Sequence, residues 1–152
     1  MIAQRDGYEL SDDRERLDID AIWAFLHGAY WSPNVPRDVV ARAIEGSLCL
    51  GLYAPGGEQA GFGRAVTDGA TYAWIADVFV LEPHRGHGLG VWLIETLLGH
   101  PRLQGLRVVT LATRDAHELY ERFGFVREGE KRMVRSFSPA ELYGTPAEKL
   151  SE

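Results

Sequence analysis

The sequence predicts one α/β domain built on a mixed, largely antiparallel sheet, and three observations lead to that fold class. Three strand-like runs between residues 48 and 81 follow one another across two short glycine-containing turns, which is typical of an antiparallel meander. After residue 88 the spacing of the apolar residues changes from that of a strand to that of a helix. The rest of the chain alternates between helix and strand, so we expect helices to pack against the sheet.

Two helices precede the meander, after an initial strand near Tyr8. The first helix begins after Asp18, a favourable N-cap, and its apolar residues have helical spacing: Ile19, Ile22, Trp23 and Leu26. The second begins at Pro36 and ends at Gly46. The three strands of the meander are expected at residues 48–53, 59–66 and 71–81, with turns at 55–57 and 68–69.

The segments after the meander continue the alternation. A helical stripe of leucines ends at Gly99: Leu89, Leu93 and Leu97. Residues 107–111 predict a short strand, Thr113 can cap a helix over residues 114–123, and Gly124 ends that helix. Residues 132–137 predict a last strand. We therefore expect a single domain over residues 1–137 and a polar tail, 138–152, that is either a small helix or loose.

Composition argues against several classes of protein. The chain of 152 residues can bury one core, it has no run of about 18 apolar residues, and its polar start is unlike a signal peptide. We therefore expect a cytoplasmic protein with no membrane partner. The net charge of −6 argues against a nucleic-acid partner. Cys49, the single cysteine, lies in an apolar run and is expected to be a buried thiol, and no spacing matches a metal site.

A glycine-rich loop joins the last strand of the meander to the following helix. Its glycines alternate, at Gly86, Gly88 and Gly90, and allow the backbone to approach a ligand closely. Since the first amides of a helix lack internal partners and carry partial positive charge, the loop can bind an anion such as a diphosphate. Arg85 could add a charge-assisted contact. The spacing fits neither a Walker loop nor the dinucleotide fingerprint, and a plain connecting turn is the alternative.

Two motifs resemble those of the GNAT superfamily of N-acetyltransferases. Arg85, Gly88 and Gly90 occupy the fixed places of its acyl-CoA signature, and residues 116–125 resemble its Ala-x-x-Leu-Tyr-x-x-x-Gly-Phe pattern, 26 residues beyond Gly90. The resemblance covers residues from about 8 to 137. It implies an acyl-CoA N-acyltransferase fold, with a mostly antiparallel sheet of about 6–7 strands and about 4 helices. It also implies that acetyl-CoA is the co-substrate and that an amine is acetylated.

The resemblance further implies roles for individual residues. The cofactor would lie along the loop and the preceding strand, at Val78, Phe79, Val80, Arg85, Gly86, His87, Gly88, Leu89, Gly90 and Thr113. An amide near Val78 would face the thioester carbonyl, and Tyr120 would protonate the departing thiolate. From the sequence alone, the alternative interpretation of Tyr120 is a structural residue that packs beside Phe123 and Phe125. Thr113 stands where many relatives have Asn, and its hydroxyl can keep one hydrogen bond and cap the helix.

Asp77 has two interpretations. It stands in an otherwise apolar strand, where a carboxylate is costly unless it has a partner. Relatives often carry Glu at this place, so Asp77 is a candidate base for the amine. A structural carboxylate that hydrogen-bonds its surroundings is the equal alternative.

Aromatic residues near the first two helices and the third strand are candidates for the acceptor site, because rings hold cationic or aromatic amines: Tyr30, Trp31, Tyr72 and Trp74. Trp23 is expected in the core, and four histidines are expected on the surface or in loops: His84, His87, His100 and His117.

The preferred function is direct acetyl transfer to the primary amine of a small molecule in a ternary complex, without a metal. The alternatives are a non-catalytic acyl-CoA sensor or scaffold and a protein lysine or N-terminal acetyltransferase. The sequence leaves open whether the protein forms a homodimer.

Overall fold

Six strands form one mixed sheet whose order follows the chain. The computed structural model describes residues 2–144. The strands are β1 (Ala3–Arg5), β2 (Tyr8–Ser11), β3 (Leu48–Tyr53), β4 (Gln59–Thr67), β5 (Tyr72–Val80) and β6 (Val108–Thr110). All neighbouring pairs are antiparallel except β5 and β6, which are parallel. The predicted mixed, mostly antiparallel α/β fold is confirmed, and the bounds of β3 to β6 agree within one residue.

Helices cover both faces of the sheet. Residues 2–144 contain α1 (Ile19–Leu26), α2 (Arg37–Glu45), α3 (Leu89–Leu98), α4 (His117–Glu121) and α5 (Pro139–Tyr143), with 3-10 turns at Arg14–Arg16, Glu82–His84 and Pro101–Leu103. The carboxylate of Asp18 accepts from the Ala21 amide at 3.0 Å, which confirms the predicted N-cap of α1. Within the described residues, no helix has both the length and the apolar character that a membrane crossing requires.

Two apolar clusters lie on opposite faces of the sheet. Strand β3 is buried along its whole length, and its alternate residues contribute to different clusters. Leu50 packs with the leucines of α3, whereas Cys49 packs with α1 and α2. Coverage of both faces explains why β3 is a continuous apolar run and not an alternating one.

The fourth helix is shorter than predicted. It begins at His117 and not at residue 114, because the hydroxyl of Thr113 accepts from the Ala116 amide at 3.0 Å and closes a turn before the helix starts. Ala116 itself has non-helical dihedrals. Gly124 follows the helix with a φ of 88°, as expected of a residue that ends a helix.

The predicted strand at residues 132–137 is wrong. The chain from 125 to 138 is irregular except for a turn at residues 130–131 and pairs with no strand of the described chain. A strand needs a neighbour for its backbone groups, and residues 126–138 are exposed and unpaired with any described strand. The chain then returns to the domain at α5, which a capping box of Ser138 and Glu141 begins, and Tyr143 packs against the α1–α2 cluster. The rest of the predicted tail, 145–152, lies outside the described residues.

Candidate active site

The middle of β5 departs from regular strand geometry. Opposite Gly63 of β4, the register shifts so that two residues of β5, Asp77 and Val78, face one residue of β4. Asp77 has a φ of 53°, a left-handed conformation that is uncommon for a residue with a side chain. The side chains of Asp77 and Val78 line different cavities.

The other edge of β5 is only partly paired. Strand β6 pairs with β5 at three positions, from Tyr72 to Trp74. Beyond Trp74 the parallel partner ends, and the edge of β5 up to Val80 faces an opening and not another described strand. Free backbone groups at such an edge can pair with an extended ligand.

The glycine-rich loop ends in a helix start with open amides. Gly88 is the N-cap of α3 with a φ of 72°, a left-handed conformation that glycine adopts without strain, and no side chain caps the helix. The first hydrogen bond within the helix runs from the Trp92 amide to the Gly88 carbonyl at 3.2 Å. The amides of Leu89, Gly90 and Val91 therefore have no intrahelical partner, and the helix dipole makes this end favourable for an anion.

Two side chains fix the loop against the sheet. Nε of Arg85 donates to the Val80 carbonyl at 2.8 Å, which places the guanidinium at the end of β5. The Tyr8 hydroxyl lies 2.9 Å from Nδ1 of His84, and the two rings meet edge to face. The sequence analysis expected His84 on the surface or in a loop and predicted no contact for it; in the structure this histidine joins the loop to β2. The distance in sequence between Tyr8 and His84 hides the contact.

A cavity of about 390 Å³ lies between β5, the loop, α3 and α4. Nine of the predicted site residues line it: Val78, Phe79, Val80, Arg85, Gly86, Gly88, Leu89, Gly90 and Tyr120. We call it the loop cavity. His87 and Thr113 do not line it, and His87 is exposed. The loop cavity thus joins the open amides of α3 to Tyr120 along the free edge of β5.

Tyr120 lies half-buried at the end of the loop cavity. Its ring contacts Phe125 edge to face, with ring centroids 5.8 Å apart. Burial raises the pKa of the Tyr120 phenol above its ordinary value, and the nearby Tyr30 raises this pKa further. The phenol is therefore protonated at neutral pH and available as a proton donor. Packing against Phe125 and proton donation are compatible, since the first uses the ring and the second the hydroxyl.

Asp77 lies in a hydrogen-bonded network on the other side of β5. Oδ2 accepts from Nε of Arg64 at 2.8 Å, and Oδ1 accepts from Nε1 of Trp31 at 2.8 Å. Nη1 of Arg64 also donates to the hydroxyl of Ser47 at 3.0 Å. Both members of the ion pair are largely buried. The sequence analysis missed Arg64, although a basic residue within an apolar strand opposite a buried acid is a detectable signal.

A second cavity, of about 290 Å³, lies beside this ion pair. Its lining combines two predicted acceptor residues with apolar side chains of the helices and of the segment after residue 136: Trp31, Trp74, Leu26, Val35, Val39, Phe137, Leu142 and Tyr143 among them. We call it the aromatic cavity. Arg64 and Asp77 are the charged side chains in its lining.

Two predicted acceptor residues lie outside the aromatic cavity. The Tyr72 hydroxyl is 2.7 Å from Oγ1 of Thr110, where β5 and β6 pair. The ring of Tyr30 lies under the guanidinium of Arg114, with the guanidinium carbon 3.7 Å from the ring centroid. Trp23 donates to the Val35 carbonyl and packs with the core cluster, in agreement with its predicted core position.

The bulged strand β5, the glycine-capped start of α3 and the partly unpaired edge of β5 together offer open amides and space for an extended anionic group. Within residues 2–144, no group of three or more His, Cys, Asp or Glu side chains is arranged to hold a metal ion. The family model of the acetyltransferase (GNAT) family matches residues 12–125. The chain belongs to the GNAT family of acetyltransferases, as the sequence motifs predicted.

Individual relatives agree with the family assignment. A candidate acetyltransferase of Gibberella zeae, FG08082, is 30% identical over 95% of this chain and 93% of its own. A crystal structure of a GNAT-family protein from Xanthomonas campestris pv. campestris has a TM-score of 0.86 at 41% identity, over 91% of this chain and 97% of that one. A predicted acetyltransferase of Clostridium acetobutylicum, determined with acetyl-CoA, shares the fold with a TM-score of 0.61 at 13% identity, over 84% and 94%.

Proposed function

We propose that the protein transfers an acetyl group from acetyl-CoA to the primary amine of a small molecule, by direct attack within a ternary complex. The observation that carries this proposal is the continuity of the loop cavity, which runs from the open amides of α3 past Val78 to Tyr120. A diphosphate at the amides and an extended pantetheine arm along β5 would bring a thioester to the bulge. The cofactor would pair with β5 as an added strand.

The bulge supplies the group that stabilises the reacting carbonyl. Val78 has no partner in the β4–β5 register, so its amide is a candidate donor to the thioester oxygen. Attack by the amine places negative charge on that oxygen, and a donor already in position stabilises the charge. Loss of one such donor costs on the order of 3 kcal/mol in comparable sites.

Tyr120 completes the proton balance. The amine nitrogen bonds to the carbonyl carbon, the carbon–sulfur bond breaks, and the Tyr120 phenol gives its proton to the departing thiolate. The proton lost by the amine passes to water, from which the phenolate recovers its own. Asp77 already accepts two hydrogen bonds, so we assign it a structural role that positions Trp31.

The state of the single cysteine supports direct transfer over an acyl-enzyme. Cys49 is buried in the cluster beneath α1 and α2, and burial raises the pKa of its thiol to about 11. A thiol of this kind is a poor nucleophile at neutral pH. It also lines neither cavity.

The aromatic cavity supports one class of acceptor. Its charged lining residues, Arg64 and Asp77, neutralise each other, and most of its remaining surface is aromatic or aliphatic. A polyamine would need surplus carboxylates in the lining, and a phosphorylated sugar would need unpaired cations. We therefore propose a monoamine with an aromatic or apolar body, which the rings of Trp31 and Trp74 would hold.

Thiol release from acetyl-CoA with a panel of amines tests both parts of the proposal. We expect kcat/KM for 2-phenylethylamine and hexylamine to exceed that for spermidine, glucosamine 6-phosphate and a lysine peptide by at least about tenfold. Faster turnover of the peptide would indicate protein modification instead. Faster turnover of spermidine or the sugar phosphate would contradict the acceptor class while leaving acetyl transfer intact.

Calorimetry separates catalysis from simple binding. Heat with acetyl-CoA but no thiol release with any amine would overturn the transfer reaction in favour of a non-catalytic sensor or scaffold. No heat at millimolar acetyl-CoA would overturn cofactor binding itself.

A further inference from the structure

The contact between Tyr30 and Arg114 joins two segments that border the cavities. Tyr30 belongs to the loop between α1 and α2, and Arg114 belongs to the loop between β6 and α4. The guanidinium carbon of Arg114 lies 3.7 Å from the centroid of the Tyr30 ring. The Tyr30 ring is 52% exposed, and a cation–π contact at an exposed site contributes little to stability. Its position in the molecule indicates another role.

Tyr30 lies between the two cavities. Its ring meets the ring of Trp31 edge to face, with centroids 5.1 Å apart, and Trp31 lines the aromatic cavity. On its other side Tyr30 is close enough to Tyr120 to raise the pKa of that phenol, and Tyr120 lines the loop cavity. The guanidinium of Arg114 is therefore held beside the region where an amine from one cavity would reach a thioester in the other.

The guanidinium of Arg114 is fixed in place while its donors stay accessible. A guanidinium stacked on a ring uses its flat face, and its N–H groups point outward from its edge. Within residues 2–144, the acid that it meets is its neighbour Asp115, with Nη2 and Oδ2 3.5 Å apart and both side chains exposed. A pair at this distance and exposure is weak. The edge of the guanidinium can therefore bind another oxyanion.

Charge at the entrance selects the kind of acceptor. An acceptor in the aromatic cavity meets no net charge in the lining, because Arg64 and Asp77 pair with each other. Arg114 adds a positive charge next to Tyr30, outside that lining. A negative group beside the reacting amine would be attracted there. A carboxylate fits best, because its two oxygens match the fork of a guanidinium.

We propose that Arg114 binds a carboxylate of the acceptor and that the acceptor is an α-amino acid with an aromatic or aliphatic side chain. That side chain would occupy the aromatic cavity, and the α-amine would lie between it and Arg114, facing the thioester near Val78. The inference rests on the proposed function and narrows its acceptor class. The transfer step is the same: the amine nitrogen bonds to the acetyl carbon, and the thiolate leaves with the proton of Tyr120. The products are an N-acetylamino acid and CoA.

The variant Arg114→Gln tests the proposal with two acceptors that differ only in the carboxylate. We expect kcat/KM for L-phenylalanine to fall by about tenfold or more, because the charge-assisted hydrogen bonds are lost. For 2-phenylethylamine it should fall by less than about twofold. Each ratio compares one amine on two enzymes, so the difference in basicity between the amines cancels. The Kd of acetyl-CoA, measured by calorimetry, should be the same for both enzymes.

One further acceptor and one further variant serve as controls. L-phenylalaninamide keeps the body and the α-amine but has no negative charge, so Arg114→Gln should change its kcat/KM by less than about twofold. Arg107→Gln makes the same substitution at an exposed arginine on the other side of β6 that lines neither cavity. It should leave kcat/KM for all three acceptors unchanged.

The outcomes separate this inference from the proposed function. An equal fall with both acceptors would mean that Arg114 only holds the α1–α2 loop through Tyr30, and carboxylate binding would be wrong. No fall with L-phenylalanine would contradict it as well. Turnover of 2-phenylethylamine but not of L-phenylalanine would exclude the amino-acid class and leave acetyl transfer intact. No thiol release with any amine would overturn both.

Discussion

The two cavities on either side of β5 are built in different ways. The loop cavity is formed largely by residues of one segment, from Val78 to Val91, and the anion site that we propose there consists of backbone amides. The aromatic cavity is formed by side chains from Leu26 to Tyr143, held by a hydrogen-bonded network around Asp77. A backbone site depends on conformation, and a side-chain site depends on partners distant in sequence. Substitutions should therefore separate binding of the cofactor from binding of the acceptor.

The largest effect is expected at Tyr120, at the end of the loop cavity. Tyr120→Phe should lower kcat by about 10²–10³-fold, because the departing thiolate loses its proton donor. The Kd of acetyl-CoA should not change, since the ring still packs against Phe125. Steady-state kinetics and calorimetry measure the two quantities. Tyr72→Phe is the matched control and should turn over normally, because its hydroxyl bonds Thr110 outside both cavities.

The pH dependence of kcat sharpens the same assignment. Burial raises the pKa of Tyr120 above the ordinary 10.0, so the acid form persists throughout the neutral range and is lost only above pH 10. The alkaline limb of kcat should lie there and should be absent from Tyr120→Phe. An alkaline limb below pH 9 that survives in the variant would assign the titration to another group.

A break in the Asp77–Arg64 pair should affect the aromatic cavity and leave the loop cavity unchanged. Asp77→Asn should lower the free energy of unfolding by about 3 kcal/mol, because Arg64 loses its counter-ion in a largely buried position. It should raise the KM of the amine without changing the Kd of acetyl-CoA. The acidic limb of the pH profile should survive, since Asp77 acts through structure. A lost acidic limb would make Asp77 the base after all.

Gly88→Ala should show the reverse separation. A φ of 72° costs a residue with a Cβ about 1–2 kcal/mol, and relief of that strain would disturb the start of α3. We expect acetyl-CoA to bind about tenfold more weakly, with the KM of the amine unchanged. Gly57→Ala is the control, because Gly57 also has a positive φ, of 95°, but lies in the β3–β4 turn. Equal loss of cofactor affinity in both variants would contradict the anion site.

The smallest effect is expected at Trp31. Trp31→Phe keeps a ring in the aromatic cavity but loses the hydrogen bond from Nε1 to Asp77, which contributes about 1–2 kcal/mol. The KM of the amine should rise about fivefold to tenfold. Trp74→Phe removes a similar area without a hydrogen bond to Asp77 and should change the KM less. A larger effect at Trp74 would show that ring area, and not the network, positions the acceptor.

The sequence predicted the loop cavity far better than the aromatic cavity. The alternating glycines and the Tyr120 motif are local patterns, and nine of the predicted residues line the cavity. Of the four predicted acceptor residues, Trp31 and Trp74 line the aromatic cavity, and Tyr30 and Tyr72 do not. The contact between Tyr8 and His84 was missed because its residues are far apart in the chain. Arg64 was missed although it lies only 13 residues before Asp77, on the neighbouring strand of the predicted meander.

Local patterns also explain the errors in secondary structure. The start of α4 was predicted from Thr113 as an N-cap, but its hydroxyl closes a turn three residues earlier than the helix. The strand predicted at residues 132–137 is wrong for a different reason. Composition reports the tendency to be extended, whereas a strand also requires a neighbour, and the described chain does not provide one.

The sequence by itself determined the order of helices and strands from β2 to α4, the N-cap of α1, the turns of the meander and the glycine-rich start of α3, because each depends on residues within a few positions of one another. Only the tertiary structure decided the bulge at Asp77, the partners of its carboxylate, the division into two cavities and the exposure of residues 126–137. These features depend on contacts between segments that are distant in the sequence. A local amino-acid pattern does not show which distant segments will be in contact in the folded chain.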